Sequence, residues 1–344
     1  MGRLNTKDER EKTLQWAIEL KAVAPKELES FSFTNIKNRF YDVLNSYFAL
    51  SCLSRNKNES ADLVVAANQH VFRVRTLVES TIEHSILEWN KKQNGSIPSE
   101  LFNGNFFGKS KKQGTSVRMP LTTCQPTKLC ASACYAHDVL DAAPLSLIRG
   151  VVNGLIAAFY EKGSSKDRSV IMGQMMKHTQ RAVRASNNEL AFLPAGFKRR
   201  PSIRFAHVGE MAPFPEFANA LAQQIRSVSS GSVDCVVYTR HRKASEIDPE
   251  LFVINFTLDA SSDDRKAWVP EKARKTYSAF GGILADDVEI NFLEHHRWVH
   301  TNPIGKGVIC PATHPDTKIR TCDACECNLC FTHPNKPHGE NQCN

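Results

Sequence analysis

Three cysteines, Cys124, Cys130 and Cys134, fall in the stretch LTTCQPTKLCASACYAH, with five and three residues in the two gaps. Three thiolates on one short loop can hold three corners of a cubane (4Fe-4S) iron–sulfur cluster and leave its fourth iron open to a small ligand. They can equally form a zinc knuckle completed by His137 or by a distant residue. On spacing alone both readings stand open. A denser group lies near the C-terminus in CPATHPDTKIRTCDACECNLCF: Cys310, Cys322, Cys325, Cys327 and Cys330, with His314, His333 and His338 nearby. Cys322-x-x-Cys325 and Cys327-x-x-Cys330 each have the separation that lets two sulfurs grip one ion from a tight turn. Metal binding is expected there, as zinc or as a second iron–sulfur cluster, since thiolate softness suits both. Cys52, Cys235 and Cys343 share no such pattern and read as buried thiols or tail residues.

The clustered cysteines read as ligands rather than bridges because no export is expected of the chain. Its first residues, MGRLNTKDEREKTLQ, are charged with no apolar segment behind them, and nowhere do about 18 apolar residues run together. A cytoplasmic protein with no membrane span is expected, and in that compartment thiols stay reduced. The formal charge of +8 favours a phosphate-bearing partner, a nucleic acid or nucleotide substrate. Basic residues gather at Lys109-Ser110-Lys111-Lys112, at Lys198-Arg199-Arg200, and at Arg240, Arg242 and Lys243. No Walker loop, G-x-S-x-G elbow, H-E-x-x-H helix or dinucleotide fingerprint is present.

The elements that must position these residues follow from periodicity. Residues 1–112 read as a helical N-terminal region. Leu14, Ala17, Ile18 and Leu20 recur at helical spacing, as do Phe40, Val43, Leu44 and Phe48, and a longer helix is expected from Asp62 to Trp89. Asn94 to Pro98 breaks the pattern, and Gly104 to Gly114 reads as a basic loop. From about residue 113 to 308 short apolar runs alternate with helices, the texture of an α/β chain with parallel strands. Strands are expected at Arg204–Val208, Asp234–Tyr238, Phe252–Leu258, Gly281–Ala285 and Trp298–His300, and helices at Leu145–Tyr160, Val170–Ala185 and Phe214–Val228. Residues 309–344 form the cysteine-rich tail. In such folds ligands meet the ends of the strands, and His295, His296 and His300 read as structural histidines.

The ordered series Cys134-Tyr135-Ala136, RFAHVGE at Arg204 to Glu210, VVYTRH at Val236 to His241 and INFTLDAS at Ile254 to Ser261 resembles the radical S-adenosylmethionine (SAM) fold. More closely, it is similar to a phage and mobile-element family known as gene product 88-like, of uncharacterised function. The resemblance covers roughly residues 115 to 335. It implies a partial TIM-type barrel of parallel strands in which Cys124, Cys130 and Cys134 bind a 4Fe-4S cluster and Gly209 and Glu210 meet the amino group of SAM. It also implies working roles at the strand ends for Asp259 and, as cofactor-binding cations, for Arg240 and Arg204.

Two other readings stay open. The segments Val208–Glu210 and Asp234–Arg240, with the late cysteines, also resemble tRNA-guanine transglycosylases, which are zinc-bearing barrels that exchange a base in DNA or RNA. A non-enzymatic basic zinc protein that binds nucleic acid is the third.

Overall fold

The computed structural model describes residues 6–56, 59–93, 95–110, 114–132, 134, 136, 139–190, 200–280, 283–294 and 309–310. Four helices come first. Helix α1 (Lys7–Glu19) starts at a capping box, in which Thr6 and Glu9 each satisfy the other's backbone N–H. Ser32 caps α2 (Phe33–Arg39) by accepting from the Asn35 N–H. Helices α3 (Tyr41–Leu53) and α4 (Ala61–Lys92) follow. At 1.5 Å per residue α4 is about 48 Å long. Val64, Ala67, Val71, Val74, Val78, Ile82, Ile86 and Trp89 recur along it every three or four residues and are all buried. That stripe packs against α1, α3 and the later α7.

Among the described residues, seven strands form one sheet, in which spatial order equals sequence order. They are β1 (Phe107–Ser110), β2 (Gly114–Arg118), β3 (Ser202–Val208), β4 (Asp234–Thr239), β5 (Phe252–Leu258), β6 (Arg274–Phe280) and β7 (Ile290–Glu294). The β1–β2 pair is antiparallel, and every later pair is parallel. Helices α5 (Lys128–Ser132), α6 (Val139–Ala142), α7 (Pro144–Lys162) and α8 (Ser165–Leu190) lie between β2 and β3, and α9 (Pro215–Val228) lies between β3 and β4. Proline stands in the first turn of both α7 and α9, where no intrahelical donor is lost.

The two faces of the sheet differ. Ile203, Phe205, Cys235, Val237, Phe252 and Ile254 join the cluster that also holds Leu221 and Ile225 of α9 and Val151 and Leu155 of α7. The N-terminal residues Leu44, Val74 and Ile82 belong to that same cluster, so helices and sheet share one core. The opposite face carries Val236, Val253 and Ile290, with Cys310 packed on them. It also buries polar side chains: Ser116, Asn255, Thr257, Arg274, Thr276 and Ser278. The Thr257 and Thr276 hydroxyls meet at 2.9 Å, and the Arg204 guanidinium lies 4.6 Å from the Tyr238 ring centre.

Several expected elements are found near their predicted bounds: β3, β4, β5, α4, α7, α8 and α9. The strand expected at Gly281–Ala285 lies earlier, at Arg274–Phe280. Its inward face is Arg274, Thr276 and Ser278, so no apolar run marks it. Residues 107–110, inside the stretch Gly104 to Gly114 expected to be a basic loop, form β1, which pairs with the largely buried β2. Trp298–His300 lies outside the described residues.

Candidate metal centre

The cysteine loop leaves the sheet just after β2, at the C-terminal ends of the parallel strands. Met119 donates its N–H to the Val208 carbonyl at 2.8 Å, which extends the β2–β3 pairing by one residue. Pro120 then turns the chain into a single 3-10 turn, Leu121–Thr123, ending at Cys124. Close approach is built in from two sides. A Cβ at Gly154 of α7 would stand 2.8 Å from the Pro120 ring. A Cβ at Gly209 would stand 2.6 Å from the carbonyl oxygens of both Met119 and Pro120, and Gly209 has φ +74. Only glycine meets both conditions. The next residue, Glu210, donates its N–H to the Thr123 hydroxyl at 2.8 Å, so the end of β3 and the start of the loop are fastened together.

Farther along, Arg265 donates to the carbonyls of Gln125 and Pro126. The Thr127 hydroxyl accepts the Cys130 N–H at 3.0 Å and donates to Asp259 Oδ2 at 2.5 Å. Past α5, Arg55 reaches the Cys134 carbonyl at 3.5 Å, and Arg75 donates to the carbonyl of Ala136. Arg75 also donates through Nε to Glu79 Oε1 at 2.8 Å, one turn away on α4, and both side chains are fully buried. Glu79 Oε2 accepts the Leu121 and Thr122 N–H groups at 2.5 and 3.3 Å. One ion pair on α4 thus holds the loop at both its beginning and its end.

Two of the three thiols share an apolar wall. Cys124 and Cys134 pack on the cluster of Leu121, Ala136 and Val208, beside Phe72. Burial raises the Cys124 pKa well above the usual thiol range, and the charges of Glu210, Cys134 and Cys130 raise it further. Cys134 is pushed up to about 12 by burial and then by Cys130, against the pull of an N–H donated by Ala136 and of the Arg75 and Arg55 charges. Each thiolate therefore resists its neighbours, and a cationic inorganic centre is the partner that relieves such a set. Among the described residues, no three His, Cys, Asp or Glu side chains are gathered tightly enough to ligate a single metal ion.

Two carboxylates follow the ends of β3 and β5, the strands on either side of β4. Glu210 is buried, and its Oε1 accepts the Arg240 N–H at 3.2 Å. Its Oε2 is also buried and makes no well-formed hydrogen bond. Burial lifts the Glu210 pKa to about 7, against the lowering effect of the Thr239 hydroxyl, the Arg240 amide and the Arg240 and Arg265 charges. A buried acceptor left open beside the thiols fits a cofactor that brings its own N–H donor. Asp259 is the opposite case. Oδ2 accepts from Thr127 and from Arg240 Nη1, both at 2.5 Å, and Oδ1 accepts from the Ser261 N–H and from the Ser261 and Ser262 hydroxyls. Burial alone would raise its pKa, but the Thr127 and Ser261 hydrogen bonds and the Arg240 charge outweigh it and hold the carboxyl below its usual range. Arg240 Nη2 donates to Ser278 on β6 at 2.7 Å.

The structure thus brings Cys124, Cys130, Cys134, Gly209, Glu210, Arg240 and Asp259 into one region. Cys310 is buried on the polar-bearing face of the sheet, away from that loop, with its N–H on the Asn291 carbonyl at 2.8 Å. Cys322, Cys325, Cys327, Cys330, His137, His314, His333 and His338 lie outside the described residues, so the C-terminal site is defined by sequence alone. Sequence reasoning missed Arg75, Glu79, Thr127 and Arg265. A signal existed for the first two: they interrupt the apolar stripe of α4 with a charge pair at i, i+4. Among the described residues, no helix is long and apolar enough to cross a membrane. Comparison with protein-family models, curated proteins and solved structures gave no match.

Proposed function

We propose that this chain is a radical-SAM-like iron–sulfur metalloenzyme built on a partial TIM-type barrel, acting on nucleic acid or a nucleotide. The observation that carries the reading is the meeting of three thiols with a buried carboxylate whose second oxygen is open, at the ends of the first two parallel strands. The sequential strand order supports a barrel-type winding, because right-handed crossovers between neighbours in a fixed direction put their connections on one face. Cys124, Cys130 and Cys134 are the ligands for a 4Fe-4S cluster, which spreads its thiolates over separate iron corners rather than around one ion. When bound, cluster and SAM supply the one-electron chemistry, and the protein's task is to bind, orient and exclude water.

In that division of labour Glu210 accepts from the SAM amino group through Oε2, and Gly209 keeps the strand end close enough to the loop for this to happen. Asp259, with both oxygens engaged, acts by holding Arg240 and Thr127 in place. Arg240, Arg242, Lys243 and Arg265 gather positive charge at the same strand ends, which suits a phosphate-bearing substrate. The Cys-x-x-Cys pairs of the tail supply a second site for zinc or an auxiliary cluster.

Calorimetry of SAM against the anaerobically reconstituted protein tests this reading. The Glu210→Gln variant removes a charge-assisted hydrogen bond worth about 1.5–3 kcal/mol, so SAM binding weakens by about tenfold or more. Absence of SAM binding to the wild type, or equal binding to the variant, overturns the assignment.

A further inference from the structure

Among the described residues, one donor nitrogen of Arg75 is left without an acceptor. Its Nε is spent on Glu79, and its Nη1 on the Ala136 carbonyl and the Tyr47 hydroxyl at 3.3 Å. Its Nη2 is buried without a hydrogen-bond partner, in a side chain with no exposed surface. An unpaired N–H on a fully buried guanidinium is costly to the fold, and such groups persist where a ligand or a function uses them. The neighbourhood says which. Arg75 grips the carbonyl of Ala136, and the N–H of that residue, in the preceding peptide group, is donated to the Cys134 sulfur, so the cation is anchored beside the thiol. The electrostatic influence of Arg75 and Cys134 is mutual. Glu79 has the reverse placement: it faces Leu121 and Thr122 and adds its negative charge at Cys124. The buried pair is therefore a fixed dipole laid along the loop, cation toward the third cysteine and anion toward the first.

We propose that Arg75, on the N-terminal helix α4, is a positioning residue that sets the reduction potential of the centre held by the cysteine loop, through the charge of its guanidinium and with Nη2 as its spare donor. The inference rests on the iron–sulfur reading above and gives the N-terminal helices a part in it. Reduction adds negative charge to a site walled by Leu121, Val208 and Phe72. A cation and N–H donors at the thiolate favour the reduced form, and a carboxylate disfavours it. The helical region is then part of the redox site rather than an appendage to the sheet.

The test is a potentiometric titration of the reconstituted cluster, followed by electron paramagnetic resonance, in the full-length protein and in Arg75→Gln, Arg75→Lys and Glu79→Gln. At unchanged iron and sulfide per chain, Arg75→Gln moves the midpoint to more negative potential and Glu79→Gln moves it to more positive potential. Arg75→Lys keeps the charge and loses the forked donors, so it gives a smaller negative shift; it also stands as the test where the glutamine variants fail to fold. A merely structural role lowers cluster content in all three and leaves the remaining midpoint where it was. Unchanged midpoints, or shifts of one sign for both charge removals, overturn the proposal while leaving the cluster assignment intact. A wild-type protein that takes up no iron and sulfide at the loop removes the assignment itself.

Discussion

Glu79→Gln is the substitution for which the structure forces the largest and most specific consequence. The two oxygens of Glu79 serve different masters: Oε1 faces the Arg75 guanidinium, and Oε2 faces the Leu121 and Thr122 N–H groups. All the partners are donors, so an isosteric glutamine fails in either orientation. With its carbonyl on the loop, its NH2 opposes Arg75; with its carbonyl on Arg75, its NH2 opposes two backbone N–H groups. In both cases a guanidinium with no exposed surface is left without a counter-charge. Removing one partner of a buried pair costs about 3–5 kcal/mol. That is a large share of the stability of a typical domain, about 5–15 kcal/mol. Urea unfolding followed by circular dichroism reads the loss as a fall in midpoint at constant slope. The Arg75→Met, Glu79→Gln double variant regains part of it, since it removes the stranded cation while the glutamine carbonyl still serves Leu121 and Thr122. A single variant within about 0.5 kcal/mol of wild type, the range of ordinary surface changes, or a double variant worse than the sum of the singles, refutes this view of α4 as the clamp on the loop.

Gly209→Ala puts a methyl group on two backbone carbonyls at a positive φ, so thermal melts should show a loss of at least about 1–3 kcal/mol, with lower cluster retention. Thr127→Val breaks the link from Cys130 to Asp259. A loss of about 1–3 kcal/mol is expected for the buried groups left unpaired, and faster proteolysis within the loop should accompany it. The His241 Nδ1 accepts the Lys243 N–H, which requires it unprotonated, and burial together with the Arg242, Lys243 and Arg265 charges lowers its pKa to about 4. The unfolded chain takes up that proton below about 6.5, so this contribution is complete above that pH and is lost as pH falls toward 4. His241→Asn keeps an acceptor and removes the proton site, so the urea midpoint of the variant should fall less steeply than that of wild type between those two pH values.

The parts of the fold that announce themselves in sequence are those driven by apolar burial alone. Strand β5 reads as FVINFTL and is buried at every position, and α4 carries its stripe through about seven turns. Strand β6 escaped because its buried face is polar, whereas β7, also unexpected, is a short run that buries Ile290 and Leu293. In β6, Arg274, Thr276 and Ser278 are inside because the opposite face of the sheet is lined with partners such as Thr257 and Arg240, and those partnerships exist only once the strands are in register. The site shows the same division. Three cysteines on one loop after a strand are visible as spacing, and so is a glycine–glutamate step at a strand end. That Glu210 has an open oxygen and Asp259 does not cannot be read from the string, because it depends on Thr127 and Arg240 arriving from distant positions. The Arg75–Glu79 pair lay between these cases, legible as charge on an apolar stripe but with its target some forty to sixty residues away.

The central claim is that Cys124, Cys130 and Cys134 hold one iron–sulfur centre, and the most direct measurement is iron, acid-labile sulfide and zinc per chain after anaerobic purification, with a visible spectrum. It is made on wild type and on the variant carrying Ala at those three positions. The account predicts a brown wild-type protein that loses the loop's iron and sulfide in the triple variant while any metal of the C-terminal cysteines stays. A colourless wild type, or iron and sulfide unchanged by the triple substitution, contradicts it.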